Sequence, residues 1–164
     1  MRILGIDPGF NTTGYGVIEG EGFKISLIEA GFIRTNPKDK IEVRLEKIHR
    51  ALNKIIAKFK PGVLVLEKLY AHWRHPTTAY VLGHARGTIC LSARENNVEL
   101  VEYAATRIKK AITGRGQASK QQVQRMIQKI LDLEMPPHPV DVSDALALAI
   151  GYSYMSRSIF NKKI

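Results

Sequence analysis

The chain has 164 residues, enough for one domain with a real hydrophobic core. Its 25 Lys and Arg outnumber 15 Asp and Glu, and the net charge of +10 favours a polyanionic partner, nucleic acid ahead of an acidic membrane surface. The single cysteine, Cys90, excludes an intrachain disulfide, and no apolar stretch is long enough to span a bilayer. We therefore expect a soluble, cytoplasmic protein.

The hydrophobic pattern, followed along the chain, predicts an α/β fold with a mixed sheet. Three strands joined by short turns come first, and helices then alternate with strands. We expect a single domain over residues 1–158 and a frayed tail over 159–164. The predicted strands are 2–6, 13–19, 24–33, 63–66 and 98–103, and the predicted helices are 41–59, 77–95, 106–112, 120–131 and 141–158.

Acidic residues stand at the ends of two apolar strands and at the start of the last helix. Asp7 follows "ILGI", Glu67 follows "VLVL", and Asp141 and Asp144 lie three residues apart in "DVSDALALAI". If both strands are central and parallel, their acids emerge at the same edge of the sheet, where open α/β sheets usually build their sites. At a spacing of three, both aspartates of the helix can project from one face.

Each of these acids also has an ordinary structural explanation. Asp141 and Asp144 resemble a helix-capping arrangement, Asp7 could accept a hydrogen bond in the Pro-Gly bend, and Glu67 could be a solvated strand end. Gathering all four would be costly unless cations neutralised them. Hard divalent ions with oxygen ligands do so, and a pair of them can hydrolyse a phosphodiester. The acids and the basic charge together indicate a nuclease.

The stretch "TRIKKAITGRGQASKQQVQRMIQK" supplies candidate phosphate contacts. Ser119 and Gln122 predict a capping box, which puts Lys120 in the first turn of a helix, where a cation opposes the helix dipole. An anion bound there would explain this placement. We expect Arg115, in the "TGRG" loop, and Lys110 to contact the same backbone. For Arg125 and Lys129 a solvated basic face is the favoured interpretation.

An aromatic stretch, "EKLYAHWRHP", follows Glu67. Tyr70 and Trp73 could cover the edge of the core or could stack on bases at an opened junction. Tyr70 is the preferred stacking candidate because it is nearer the acid, and Arg74 is a candidate phosphate contact.

The segments "LGIDPG…TGYGVI", "LGHARG", "EYAATRIKKAITGRGQASKQQVQ" and "DVSDALALAI" resemble the bacterial RuvC-type Holliday junction resolvases, in the expected order over nearly the whole chain. The resemblance implies an RNase H-like fold, a mixed five-stranded sheet flanked by helices on both faces. It also implies a homodimer that binds a four-way DNA junction and makes paired cuts. A branch-migration complex is the partner that the resemblance suggests.

Residue by residue, the resemblance assigns the metal-binding acids of the family to this chain. It implies that they hold Mg²⁺ or Mn²⁺, two ions per site. It also assigns the base-contacting aromatic to Tyr70 and the two important lysines to Lys109 and Lys120. The loop "LYAHWRHPTTA" departs from the family pattern, and sheet packing explains the glycines of "LGHARG" as well as a nearby dimer interface does. The four implied metal ligands are Asp7, Glu67, Asp141 and Asp144.

The leading hypothesis is a metal-dependent endonuclease that resolves four-way DNA junctions during recombination and repair. An RNase H-like nuclease that acts on ribosomal RNA precursors is an alternative, which the basic stretch at 107–120 disfavours. An ATP-binding protein of the actin and sugar-kinase type also starts with a strand ending in Asp, but it needs two similar domains, and 164 residues are too few. A junction-binding module without activity is the remaining alternative.

Overall fold

A computed structural model describes residues 1–21, 24–68 and 76–160. These residues form five strands and five helices, all close to the predicted bounds. The prediction of a frayed tail falls largely on residues outside the described ranges, and the single domain remains a prediction. The strands are β1 (Arg2–Asp7), β2 (Thr12–Glu21), β3 (Lys24–Arg34), β4 (Val63–Glu67) and β5 (Glu99–Tyr103); the helices are α1 (Ile41–Phe59), α2 (Pro76–Glu95), α3 (Ala105–Thr113), α4 (Lys120–Ile130) and α5 (Val140–Phe160).

The strands form one sheet in the order β3-β2-β1-β4-β5. β1, β2 and β3 pair antiparallel, as strands with few residues between them can, whereas β1, β4 and β5 pair in parallel because a helix lies between each and the next in sequence. The prediction of an α/β fold with a mixed sheet is confirmed. β1 lies at the centre of the sheet, and its apolar residues are buried on both faces.

Alternation along β1 and β4 divides the core into two layers. Leu4, Ile6 and the equivalent leucines of β4 pack against α1 and α2. Ile3, Val63 and Val65 pack against α3, α4 and α5 on the opposite face. Successive side chains of a strand point to opposite faces. The residues that end β1 and β4 therefore project on the face covered by α5.

Glycines in β1 and β2 let α5 lie directly on the sheet. A Cβ atom on Gly5 would collide with the carbonyl oxygen of Ala145 and lie 2.9 Å from the backbone nitrogen of Ala149. A Cβ atom on Gly14 would collide with the backbone of Asp141. The absence of side chains at these two positions therefore sets the height of α5 above the sheet, and with it the position of its acidic first turn.

A buried arginine holds the turn that follows β1. Arg44 is 7% exposed, and its Nε donates to Thr35 Oγ1 at 3.0 Å. Its Nη2 donates to Phe10 O at 2.9 Å and to Asn11 Oδ1 at 2.6 Å, and the guanidinium stacks on the Phe10 ring at 3.6 Å from the centroid. These contacts fasten the turn after β1 to the end of β3. Within the described ranges, no helix has the length and hydropathy of a membrane span.

Candidate active site

The carboxyl ends of the two central parallel strands place two acids side by side. Ile6 and Leu66 are Cα partners in the β1–β4 ladder. The next residue on each strand is an acid, Asp7 on β1 and Glu67 on β4. Neighbouring strands lie about 4.8 Å apart, so these two side chains leave the sheet as neighbours on the α5 face. Both are partly buried.

The first turns of α5 bring the other two acids to the same end of the sheet. Asp141 is the second residue of α5 and lies inside its first turn, so it does not occupy the position before the helix that the capping alternative requires. Its backbone rests on Gly14, which is the Cα partner of Asp7 in the β1–β2 ladder. Asp144 follows three residues later and is half-buried.

The pKa of Asp7 indicates that the four acids share one electrostatic environment. Its pKa is raised from an ordinary value of 3.8 to about 7. Burial is the largest cause, followed by the negative charges of Asp144, Asp141 and Glu67, while Lys120 acts in the opposite direction. A carboxylate in such surroundings is more stable either protonated or beside a cation.

Glu67 has both negatively and positively charged groups around it, and they act on its pKa in opposite directions. Burial and the charge of Asp144 raise its pKa, and three cations oppose them: Lys120, Lys109 and Arg86. The two lysines predicted to be important therefore both lie near the acids. They come from separate helices, α3 and α4, which the fold brings to the carboxyl end of β4.

Lys120 forms an ion pair with one of the acids. Its Nζ lies 3.2 Å from Asp144 Oδ2, and the nearby carboxylate raises the lysine pKa. The predicted capping box is confirmed: Ser119 Oγ accepts from Gln122 N at 3.2 Å, and Gln122 Oε1 accepts from Ser119 N at 2.9 Å. The anion expected beside Lys120 is, in the protein alone, a carboxylate of the acid cluster.

A cleft of about 220 Å³ opens between these groups. Glu67 and Asp144 line it together with Lys109 and Lys120. Its remaining walls are apolar and come from α3, α4 and α5: Ala105, Ile108, Val123, Ala147 and Leu148. The cleft therefore contains both negatively and positively charged groups. The carboxylates lie toward the strand ends, and the ammonium groups come from the flanking helices.

Arg86 is a site residue that the sequence interpretation missed. Its Nη1 donates to the backbone oxygen of Glu67 at 2.7 Å, and its Nη2 pairs with Glu102. The guanidinium therefore braces the end of β4 from α2. The signal available in the sequence was a single arginine in the "LGHARG" segment of a mostly apolar helix.

Two other predicted DNA contacts, Lys110 and Arg115, do not line this cleft. Lys110 is exposed on α3, and Arg115 lines a different groove beside α4. Tyr70 and Arg74, with Trp73, lie outside the described residues, so their roles remain predictions.

The acids suit a hard divalent cation in chemistry and charge, because all four offer oxygen, and burial together with the charges of the other three raises the pKa of Asp7. Their present spacing is wider than a ligand shell. Within residues 1–21, 24–68 and 76–160, no three His, Cys, Asp or Glu side chains are grouped closely enough to hold a metal ion. Binding an ion would draw the carboxylates together.

The raised pKa of Asp7 predicts an unusual pH dependence of stability in EDTA. Between pH 4 and pH 7 the folded protein keeps a proton on Asp7 that the unfolded chain has released, so this contribution to stability is lost as the pH rises through that range. Three pKa units correspond to about 4 kcal/mol as an upper bound. Asp7→Asn should therefore be more stable than wild type at pH 8, by roughly 2–4 kcal/mol, and by less than half of that amount at pH 5.

Urea unfolding at both pH values measures this difference. A difference between wild type and Asp7→Asn that does not change from pH 5 to pH 8 would contradict the electrostatic description of the cluster.

Solved structures identify the class of protein that this fold and site define. A Thermus thermophilus RuvC structure superposes with a TM-score of 0.88 at 32% identity, covering 96% of both chains. A T. thermophilus RuvC in complex with Holliday junction substrate gives 0.91 at 30% identity, again over 96% of both. A yeast mitochondrial Holliday junction resolvase, 14% identical, shares the fold with a TM-score of 0.70. The fold is that of the RNase H-like resolvases.

The family follows from the sequence comparisons. Residues 3–152 match the family model described as crossover junction endodeoxyribonuclease RuvC. The protein of that name from Rhodopirellula baltica is 43% identical over 156 residues, 95% of this chain and 88% of the relative. The one from Alkaliphilus metalliredigens is 40% identical over 99% of this chain and 100% of the relative. The chain belongs to the RuvC family of crossover junction endodeoxyribonucleases, and this membership implies a divalent-metal requirement.

Proposed function

We propose that this endonuclease resolves four-way DNA junctions with Asp7, Glu67, Asp141 and Asp144 as its catalytic carboxylates. The observation that carries the proposal is the convergence of these acids, from two strands and one helix, at one end of the sheet, where Glu67 and Asp144 line a cleft together with two lysines. A basic protein with an acidic pocket of this kind suits a phosphodiester substrate, because cations hold the backbone while carboxylates gather metal ions at the cut.

The acids would hold Mg²⁺ or Mn²⁺, two ions per site, which would activate water and stabilise the departing oxygen. Water adds to phosphorus as the bond to the 3′ oxygen breaks, which leaves a 5′-phosphate and a 3′-hydroxyl. Asp7 is the central ligand, because its charged form is otherwise disfavoured by burial and by its neighbours. Cations would offset the repulsion among the acids.

Lys120 would act in two states of the site. Without metal it neutralises Asp144 through the 3.2 Å ion pair. With the carboxylate engaged by a cation, the ammonium group is free to bind a phosphate oxygen at the cut. Lys109, on the other side of the cleft, would hold a neighbouring phosphate. We propose further DNA contacts for Tyr70, Arg74, Lys110 and Arg115, the first of these as a base-stacking group.

A stripe on α2 supports the homodimer that two coordinated cuts require. Tyr80 and Leu91 are 66% and 53% exposed, and between them a Cβ atom built on Gly83 or Gly87 meets none of the described residues within 4 Å. Packing on the sheet therefore does not explain these glycines. Their spacing places all four residues along one side of α2. We propose that this stripe packs against a second copy, which provides two sites for two strands.

Gly87→Arg should prevent the dimer from forming. The fold should be unaffected, since the side chain enters open space and arginine favours a helix over glycine by roughly 1 kcal/mol. We expect a monomer in analytical ultracentrifugation and single nicks in place of paired cuts. Lys54→Arg, an exposed change on α1, is the control. A Gly87→Arg dimer as strong as wild type would contradict the placement of the interface.

Action on chromosomal junctions would place the protein in the cytoplasm, with a branch-migration complex as its partner in recombination and repair. The substrate class is tested by comparing the cleavage of a four-way DNA junction, a linear DNA duplex with the same arm sequence and a folded ribosomal RNA precursor fragment. We expect cleavage of the DNA junction at least tenfold faster than of either other substrate. Preferred cleavage of the RNA would instead support the alternative of a ribosomal RNA processing nuclease.

A further inference from the structure

A second basic groove lies beside α4, apart from the acid cluster. It has a volume of about 770 Å³, and its lining includes Arg115, Arg125 and Lys129 together with the half-buried Met126 and Leu133. The three cations are exposed, and among the described residues none of them forms an ion pair. Asp132 also lines the groove, which leaves a net charge of +2 on its ionisable lining residues.

The walls of this groove are fixed by hydrogen bonds. Arg115 N donates to Thr113 Oγ1 at 3.2 Å, directly after the left-handed Gly114 that ends α3. Elsewhere in the lining, Gln128 Nε2 donates to the backbone oxygens of Leu133 and Glu134, both at 3.2 Å. Arg115 therefore projects from a backbone that is held in place, and the groove is a formed feature of the fold.

Two like charges stand four residues apart on α4, an arrangement that weakens a helix slightly when nothing neutralises it. Arg125 and Lys129 form this pair, and helical geometry puts them roughly opposite Lys120 around the axis of α4. A solvated face was the favoured interpretation of the two cations from sequence. A groove that a third cation, Arg115, completes from another element indicates an anionic ligand instead.

We infer that this groove binds the sugar–phosphate backbone of a junction arm, as a second contact away from the cut. The inference rests on the proposed function. The DNA would run from the acid cluster over the start of α4 to this groove. Lys120 faces the acids, and the groove lies on the other side of that helix. The two sites are roughly 12–18 Å apart by helix dimensions, or about four to five nucleotides at 3.4 Å each.

The test compares junction binding in EDTA over a range of salt concentrations for three proteins. Arg125→Gln/Lys129→Gln removes the pair in the groove. Arg50→Gln/Lys54→Gln is the matched control, because it removes an arginine and a lysine at the same spacing from exposed positions on α1. Two lost phosphate contacts should lower the slope of log K against log salt by about 1.8 and weaken binding roughly tenfold or more at 0.1 M salt.

Neutral methylphosphonate linkages four to five nucleotides from the cut should reproduce the loss with wild type and add little to that of the groove variant. Equal slopes for the groove variant and wild type would overturn the inference, and an acidic protein surface would become the better candidate for the groove. Junction cleavage by wild type in Mg²⁺ is measured in the same preparation. Its failure would reject the proposed function, whereas a normal rate with an unchanged slope rejects the groove alone.

Discussion

Asp7→Asn should abolish junction cleavage, by at least ~10³-fold, while the protein still binds the junction. Asparagine keeps the size of the side chain but removes the charge that Asp144, Asp141 and Glu67 surround, so a divalent ion would lose its central ligand. The measurement is a single-turnover cleavage rate with enzyme in excess, together with binding by fluorescence anisotropy.

Asp39→Asn makes the same chemical change in an exposed turn and should cleave at the wild-type rate. Asp7→Asn should also bind the junction at least as tightly as wild type in EDTA, since one negative charge near the DNA is gone. Cleavage by Asp7→Asn within tenfold of wild type would remove Asp7 from the catalytic group.

Gly5→Ala should cost more than about 3 kcal/mol of stability and most of the activity. A single methyl group at this position would collide with the carbonyl oxygen of Ala145, and backbone cannot yield as the end of a flexible side chain can. α5 would be pushed from β1, and the acids of its first turns would move with it. Urea unfolding and cleavage rates measure the two losses.

Gly62→Ala is the matched control, because a Cβ atom there makes ordinary contacts of 3.8 Å with Met1 Cγ and 4.0 Å with Arg2 O. Its stability should stay within about 1 kcal/mol of wild type. If Gly5→Ala is as stable and active as this control, the close packing of α5 on β1 does not position the site.

The secondary structure could be predicted from the sequence because its signals are local. Apolar spacing sets α1, Pro61-Gly62 ends it, and the capping box of Ser119 and Gln122 marks the start of α4. Strand alternation also predicts part of the site. It puts Asp7 and Glu67 on one face of the sheet if β1 and β4 are parallel neighbours. These inferences need only the period of each element and a rule of topology.

The rest of the site depends on contacts between distant segments. On its own, the pair in α5 resembles a helix cap, and only the folded chain shows that Asp141 lies inside the first turn and that its backbone rests on Gly14, the partner of Asp7. The ion pair of Lys120 with Asp144 joins residues 24 apart. The hydrogen bond from Arg86 to Glu67 joins residues 19 apart on different elements. No local pattern encodes such distances.

The central claim is that the acid cluster makes this protein a metal-dependent junction resolvase. Its most direct test is strand-mapped cleavage of a four-way DNA junction with a short mobile core, by wild type, with Mg²⁺ and with EDTA. We predict two symmetric nicks, on strands of like polarity, with 5′-phosphate ends that a ligase seals, and these only when Mg²⁺ is present. Binding without nicks in both Mg²⁺ and Mn²⁺, or nicks that persist in EDTA, would contradict the account.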